Sequence, residues 1–301
     1  MLRRLHGFIS PLRYPGGKGA LANFMKLLIQ QNDLQDGNYV EVYAGGAGIA
    51  WSLLVEEYVR HVHVNDLSLP VYSFWHSVLF HTDELCRLVR DRRVSMSEWR
   101  RQRAIMMRPG DHTVVELGFS AFFLNRTNRS GILAGGVIGG KRQDGQWKLD
   151  ARFNKRDLTS RIERIARYAS RVSLHNLDAA EFLTSVLPTL PHKTLVYLDP
   201  PYFSRGQDLY ESHYSKEDHA HIARLVTQCV SLPWVVSYDS APEVSLLYSG
   251  FEELSYRLSY SAQSRYAGTE TMRTAPNSVD TQLSEFSQLL LVLGRAQVAQ
   301  S

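Results

Sequence analysis

Residues 194–203 read Thr-Leu-Val-Tyr-Leu-Asp-Pro-Pro-Tyr-Phe, an apolar, β-rich run that stops at an acid, two prolines and an aromatic. The pattern predicts a buried strand with Asp199 at its carboxyl end, where open α/β sheets hold their ligands. Asp199 and Pro200 each precede a proline and are held extended, and neither proline carries an N–H. The expected corner is stiff. It presents the Asp199 carboxylate and the Pro200 carbonyl as two acceptors, with the Tyr202 ring beside them. A planar amine with two hydrogens to donate fits that arrangement. The exocyclic amine of a nucleobase is such a group, and a poor nucleophile, because its lone pair is delocalised into the ring. Holding both hydrogens favours a pyramidal nitrogen with a localised lone pair, which is what methylation of such an amine requires. A strand-to-loop corner that uses prolines only to stop pairing would read the same way.

Several elements must surround such a corner. Tyr39 to Tyr43 reads as a strand running into Ala44-Gly45-Gly46-Ala47-Gly48 and then a helix through Tyr58, a nucleotide-type cradle. The dinucleotide fingerprint wants a small residue where Trp51 stands, which weakens a nicotinamide reading. A second strand, His61 to Val64, ends at Asn65-Asp66, about 20 residues past the turn, where an acid accepts from ribose hydroxyls. Asp66 as a helix cap is the competing reading, with Ser68 ahead of Leu69-Pro70 a rival for that role. Upstream, the glycine-punctuated loop Pro11 to Gly19 places Lys18 to meet an anionic group, ahead of an amphipathic run at Leu21, Phe24, Met25 and Leu28.

Further on, Val172 to Leu174 predicts a strand leading to Asp178, which either accepts from a cofactor's adenine amine or caps the helix that follows. Ser215 and Asp218 predict a capping box, as do Ser240 to Glu243 after the strand Trp234 to Asp239. Phe251 to Leu258 and Ser287 to Leu293 read as the last two strands, separated by a polar loop, Ser259 to Ser278, that holds Arg265 and Arg273.

The character changes at Thr82. Arg87, Arg90, Arg92, Arg93, Arg100, Arg101, Arg103 and Arg108 crowd one stretch, followed by Asn125-Arg126-Thr127-Asn128-Arg129 and a glycine-rich run to Gly140. Asp144-Gly145 signals a β-hairpin, a ribbon with Lys141, Arg142, Gln143 and Gln146 near its tip. Cations and amides on a projecting ribbon suit phosphates and base edges in a groove. Residues 82–158 therefore read as an inserted DNA target-recognition domain, with 1–81 and 159–301 forming the main domain.

Composition bounds these expectations. With 301 residues, 44% hydrophobic and 21% charged, the chain suits one large α/β domain with an insert rather than a disordered or fibrous protein. A net charge of +4 is small for this length, so it permits a polyanionic partner without demanding one. Cys86 and Cys229 lie far apart without metal-ligand spacing, which fits a reducing compartment; no His/Cys cluster suggests a metal. The amino-terminal stretch has no apolar signal region, and the longest apolar run, Leu289 to Leu293, is too short to span a bilayer. The expectation is a cytoplasmic enzyme.

The order of glycine loop with lysine, glycine turn, basic insert and Asp-Pro-Pro-Tyr resembles the Dam-like DNA adenine-N6 methyltransferases over most of the chain. The resemblance implies a Rossmann-like class I methyltransferase sheet with a mainly helical insert, S-adenosylmethionine as cofactor and double-stranded DNA as partner. It gives cofactor binding to Tyr14, Gly16, Gly17, Lys18, Ala44, Gly45, Gly46 and Gly48, the ribose to Asp66 and the cofactor adenine to Asp178. It gives a flipped target adenine to Asp199, Pro200 and Tyr202, and the start of the recognition unit to Asn125 and Arg126. Arg129, Lys141, Arg142, Gln143 and Arg265 complete the expected DNA-binding set. Ala44 with Gly45-Gly46 departs from the more usual Phe-containing turn, and beyond Arg129 the insert lacks the Phe-Asn-Gly pattern of GATC-specific members. Methylation of cytosine N4 or of RNA, a catalytically inactive DNA-binding module and a nicotinamide oxidoreductase remain as rival readings, and a partnership with a restriction or defence system is open.

Overall fold

A computed structural model describes residues 9–13, 18–203, 214–239, 241–261 and 265–274, and over 252–274 only the backbone. The strands are β1 (Asn38–Glu41), β2 (His61–Asn65), β3 (Val172–His175), β4 (Thr194–Leu198), β5 (Trp234–Asp239), β6 (Glu252–Ser261) and β7 (Arg265–Thr274). The helices are α1 (Ala22–Gln31), α2 (Gly48–Val55), α3 (Leu69–Phe80), α4 (Thr82–Asp91), α5 (Met96–Met106), α6 (Val114–Thr127), α7 (Lys155–Ala166), α8 (Ala179–Glu181), α9 (Lys216–Cys229) and α10 (Pro242–Leu247). The chain divides into two compact units. One comprises Met1–Asn23, Gly45–Glu57 and Asp66–Asn176, and the other Phe24–Ala44, Tyr58–Asn65 and Leu177–Ser301.

In the second unit the strands run β2-β1-β4-β5-β7-β6. The first four are parallel, with Asn38 opposite His61, Glu41 opposite Tyr197 and Leu198 opposite Val236. All five residues of β4 are buried, which explains its continuous apolar run: a central parallel strand is covered on both faces and shows no alternation. Val196, Leu198, Trp234, Val236 and Tyr238 pack with Ile222 and Val226 of α9 and Phe182 beyond α8. Cys229, the last residue of α9, is exposed, whereas Cys86 in the other unit is buried and its thiol is pushed up to about 11, chiefly by that burial.

Two expectations at this end are corrected. Residues 259–278 were expected as a loop, but β6 runs to Ser261 and pairs antiparallel with β7, which in turn pairs β5. The cause is legible afterwards: Leu254, Tyr256, Leu258 and Tyr260 alternate with polar residues, so the period of two continues past Leu258. Arg265 therefore opens a strand rather than lying in a loop. The strand expected over Ser287 to Leu293 lies outside the described residues. The capping box expected at Ser240 is also absent: the N-cap of α10 is Ala241, with no side-chain cap and Pro242 in the first turn.

The first unit is helical. Gly118 of α6 lies so close to α3 that an added Cβ would stand 2.5 Å from the Ser73 carbonyl oxygen. That approach lets Phe74 and Phe122 stack with centroids 5.5 Å apart, and Phe153 packs edge-on against Phe122. Thr113 and Glu116 form a reciprocal capping box that starts α6. The hairpin expected around Asp144-Gly145 is not formed. Residues 139–147 make a coil of turns in which Gly145 N donates to Gly139 O (3.2 Å), and no strand lies between Gly131 and Lys155. A Asp-Gly turn makes a hairpin only between alternating apolar flanks, and here the flanks are polar.

Candidate active site

Asp199 follows β4 directly, on a corner whose two prolines are buried. Ser237 of β5, one residue past the Leu198–Val236 pairing, donates from Oγ to Asp199 Oδ1 at 2.6 Å. The Tyr197 hydroxyl lies 2.8 Å from the same Oγ. Because the one Ser237 hydroxyl hydrogen goes to the carboxylate, Tyr197 must donate to Ser237. Neither residue was singled out from sequence. A hydroxyl within the buried run Val235-Val236-Ser237-Tyr238 was the available signal, since a buried polar group needs a partner. Tyr202 is only 8% exposed, so its ring is mostly covered by protein rather than laid open as a platform.

Phe203 and Tyr214 converge on His219. Phe203 lies 5.0 Å and Tyr214 5.3 Å from its ring, and Tyr238 OH bonds His219 Nδ1 at 2.9 Å. Tyr214 OH also meets Tyr43 OH at 3.0 Å, just past β1. Burial pushes the Tyr214 phenol up to about 12 and the Tyr43 phenol well above its ordinary value, so both stay protonated. Asp178 Oδ1 accepts from Ala180 N at 2.8 Å, the capping role weighed from sequence.

The glycine turn and Asp66 belong to the first unit. Gly45 (φ 47°) and Ala47 (φ 46°) are both left-handed, and Ala47 precedes α2 without a side-chain cap. Asp66 Oδ2 accepts from Gly45 N at 2.7 Å and Oδ1 from Ser68 N at 2.9 Å, so one carboxylate ties the turn to the start of α3. Burial lifts this acid to about 6, against the lowering effect of those two N–H donors. Trp75 Nε1 and Ser10 Oγ hold the Gly45 and Gly46 carbonyls at 2.9 and 2.6 Å. Trp51, which breaks the dinucleotide pattern, is buried against Trp75 with centroids 4.8 Å apart. A Cβ on Gly48 would meet Gly19 Cα at 3.6 Å, so the turn containing buried Lys18 passes close beside α2. Tyr14, Gly16 and Gly17 lie outside the described residues.

The family model for the D12 class N6 adenine-specific DNA methyltransferases matches residues 14–261, well over half the chain. The chain belongs to that family. None of the curated proteins matches it in sequence. Among solved structures it is similar to the rRNA methyltransferase aviRa from Streptomyces viridochromogenes, with 15% identity, 89% of each chain covered and a TM-score of 0.40. It is also similar to a Pyrococcus horikoshii protein described as an RNA methyltransferase, with 11% identity over 90% of this chain and 91% of that one, and a TM-score of 0.43. The α/β methyltransferase sheet expected from sequence is what the parallel strands form, and the reaction is transfer of a methyl group to N6 of adenine in DNA. The family implies S-adenosylmethionine as methyl donor. Its donor set suits the first unit: left-handed glycine backbone, an uncapped helix start and a buried acid whose oxygens have lone pairs beyond the two already engaged.

The basic segment of this methyltransferase sorts into two kinds of residue. Asn125 and Gln143, expected to read DNA, are turned inward. Asn125 is buried, accepting from Arg13 N (2.7 Å) and donating to the carbonyls of Arg13 (2.6 Å) and Gly131 (2.9 Å). Gln143 donates to Ile138 O and Gly140 O, both at 2.7 Å, and accepts from Leu149 N at 2.9 Å. Each amide satisfies backbone groups that would otherwise be orphaned. Arg126 is half-buried, its Nε donating to Arg152 O at 2.8 Å. Burial, then the Arg13 and Arg161 guanidiniums, push it down to about 10, with Asp157 opposing. Arg129 and Lys141 are exposed, as is Arg142, which pairs with Asp144 at 3.1 Å. Among the described residues no helix is long and apolar enough to cross a membrane, and no group of three or more His, Cys, Asp or Glu could hold a metal.

Proposed function

We propose that this methyltransferase receives a flipped adenine at Asp199 and Pro200 and binds S-adenosylmethionine through the glycine turn and Asp66. The observation that carries the reading is the hydrogen-bonded carboxylate at the end of β4, on a strand in register with β1, from which the chain enters the glycine turn. Ala44 and Asp199 thus leave neighbouring strands at the same edge.

The bound cofactor supplies an electrophilic methyl on a sulfonium. Asp199 and the Pro200 carbonyl accept the two amine hydrogens, fixing the nitrogen's orientation, so positioning supplies most of the rate. Asp199 need not be a strong base, because the amine proton becomes acidic only as the nitrogen gains charge. Rotating the base out of the duplex costs a few kcal/mol. Tyr202 recovers roughly 1–3 kcal/mol by stacking once its covered ring is uncovered. Asp66 accepts from the ribose hydroxyls, while Lys18 and the start of α2 face the cofactor's carboxylate. Asp178 receives the cofactor's adenine amine with lone pairs beyond the one it uses as a cap.

Residues 82–158 supply target recognition, with Arg126, Arg129, Lys141, Arg142 and Arg265 on DNA. To these we add Arg13, Arg152 and Arg161, a reading supported by their charges acting on Arg126 while one acid, Asp157, acts against them. A cytoplasmic setting and pairing with a restriction or defence system are parts of the same reading.

Asp199→Ala should abolish methyl transfer to DNA while cofactor affinity by calorimetry stays within a few-fold. Nucleoside mass analysis of DNA from cells expressing the chain should show N6-methyladenine. Turnover near wild type in Asp199→Ala would remove the assignment, and N4-methylcytosine in its place would overturn the choice of base.

A further inference from the structure

The line Tyr197 OH, Ser237 Oγ, Asp199 Oδ1 has a direction, set by the single Ser237 hydrogen. It ends on the carboxylate that the proposed mechanism places against the amine. We propose that Tyr197 and Ser237 are positioning residues for methyl transfer, a buried two-hydroxyl relay that fixes the orientation of the Asp199 carboxylate.

A carboxylate at the end of a strand has two torsions to fix, and the extended backbone imposed by Pro200 settles only where its Cα lies. The hydrogen bond at 2.6 Å fixes the side chain as well, by holding one oxygen. It is a charge-assisted bond, of the shorter and stronger kind. Ser237 is fully buried on β5, where backbone pairing to β4 leaves it no freedom to follow a moving partner. Tyr197 extends from β4 and is itself buried, so it fixes the Ser237 rotor from the far side. The acceptor that meets the amine is thereby aimed before substrate arrives, which is where positioning gains its effect.

This inference rests on Asp199 as the residue that meets the amine, and the experiment separates the two. Single-turnover methylation of duplex DNA is measured for the whole chain and for Ser237→Ala, Ser237→Thr, Tyr197→Phe, Asp199→Ala and the double variant Tyr197→Phe/Ser237→Ala. Loss of a hydrogen bond to a charged group predicts that Ser237→Ala slows transfer roughly 10- to 100-fold. KM for the cofactor and for DNA should stay within about two-fold, because neither hydroxyl contacts substrate. Ser237→Thr keeps the donor and should restore most of the rate. Tyr197→Phe should slow transfer several-fold, and the double variant should be no slower than Ser237→Ala alone, since residues acting as one line are not additive. Tyr197→Phe leaves no buried donor unpaired, so it stays informative where Ser237→Ala destabilises the fold. Full rates in both single variants with an inactive Asp199→Ala would overturn the relay alone, as would strictly additive losses. An active Asp199→Ala would overturn the reading beneath it.

Discussion

At the scale of single residues, burial alters the Asp66 carboxyl. Burial holds its folded pKa at about 6 against the ordinary 3.8, although two backbone N–H groups favour the ionised form. Between those values the folded protein keeps a proton that the unfolded chain releases. By linkage the stabilisation from this group is complete below about pH 4, declines as the pH rises toward 6, and is gone above it. A shift of this size corresponds to at most ~3 kcal/mol. Urea unfolding of wild type and Asp66→Asn from pH 4 to 7 should show their difference changing across that window and flat above it; a constant difference would mean that Asp66 does not titrate there. If Asp66 takes the ribose hydroxyls as proposed, it does so in its ionised form, so cofactor affinity should weaken below about pH 6 in the wild type and not in the variant. The placement of Asp66 and Asp199 just past the ends of β2 and β4 was legible from sequence, because each follows a strand-like run that stops at the acid. That Asn125 and Gln143 bond neighbouring backbone groups was not legible, because an amide in a basic stretch gives no sign of which way it turns.

At the scale of elements, the contact between α3 and α6 depends on one missing methyl. A Cβ at Gly118 would stand 2.5 Å from Ser73 O and 2.7 Å from Ser77 Oγ, and a backbone carbonyl inside a helix cannot step aside cheaply. Gly118→Ala should therefore destabilise the protein by about 1–3 kcal/mol as overpacking, despite the better helix propensity of alanine. Thermal melting with and without the substitution decides this, and an unchanged or raised Tm would count against close packing there. Parallel strands, the glycine turn and the capping boxes at Ser215 and Thr113 follow from local pattern: apolar runs, glycine where φ is positive, and paired Ser/Thr and acid three apart. The ribbon around Asp144 was misread because the turn residues were weighed without their flanks. The terminal hairpin was missed because polar residues on one face masked an alternation that continues to Tyr260.

At the scale of the whole molecule, a net charge of +4 is too small to hold DNA by itself, so what matters is where cations meet with few acids to neutralise them. Arg13, Arg126, Arg152 and Arg161 meet in that way, with Asp157 paired to Arg161 at 2.9 Å. The Arg152 side chain is exposed and makes no hydrogen bond or ion pair among the described residues, which makes it the least disruptive to remove. If these cations sit on phosphates, Arg152→Gln should weaken duplex binding several-fold and reduce the salt dependence of log K by about one, irrespective of sequence. Fluorescence anisotropy from 50 to 300 mM salt measures both, with Arg224→Gln on α9 as a control, and an unchanged slope would take Arg152 off the DNA. The division into two interleaved units was not legible, because chain-distant pieces such as 45–57 and 66–176 join one unit only through three-dimensional packing.

The two cysteines differ in a way that turns the natural chain into its own spectroscopic tool. With the Cys86 sulfur enclosed and Cys229 open at the end of α9, a maleimide dye should attach once per molecule without any engineering. The label would sit at the end of the helix whose Ile222 and Val226 pack with side chains of β4 and β5, a natural observation post from which single molecules could be watched engaging a duplex.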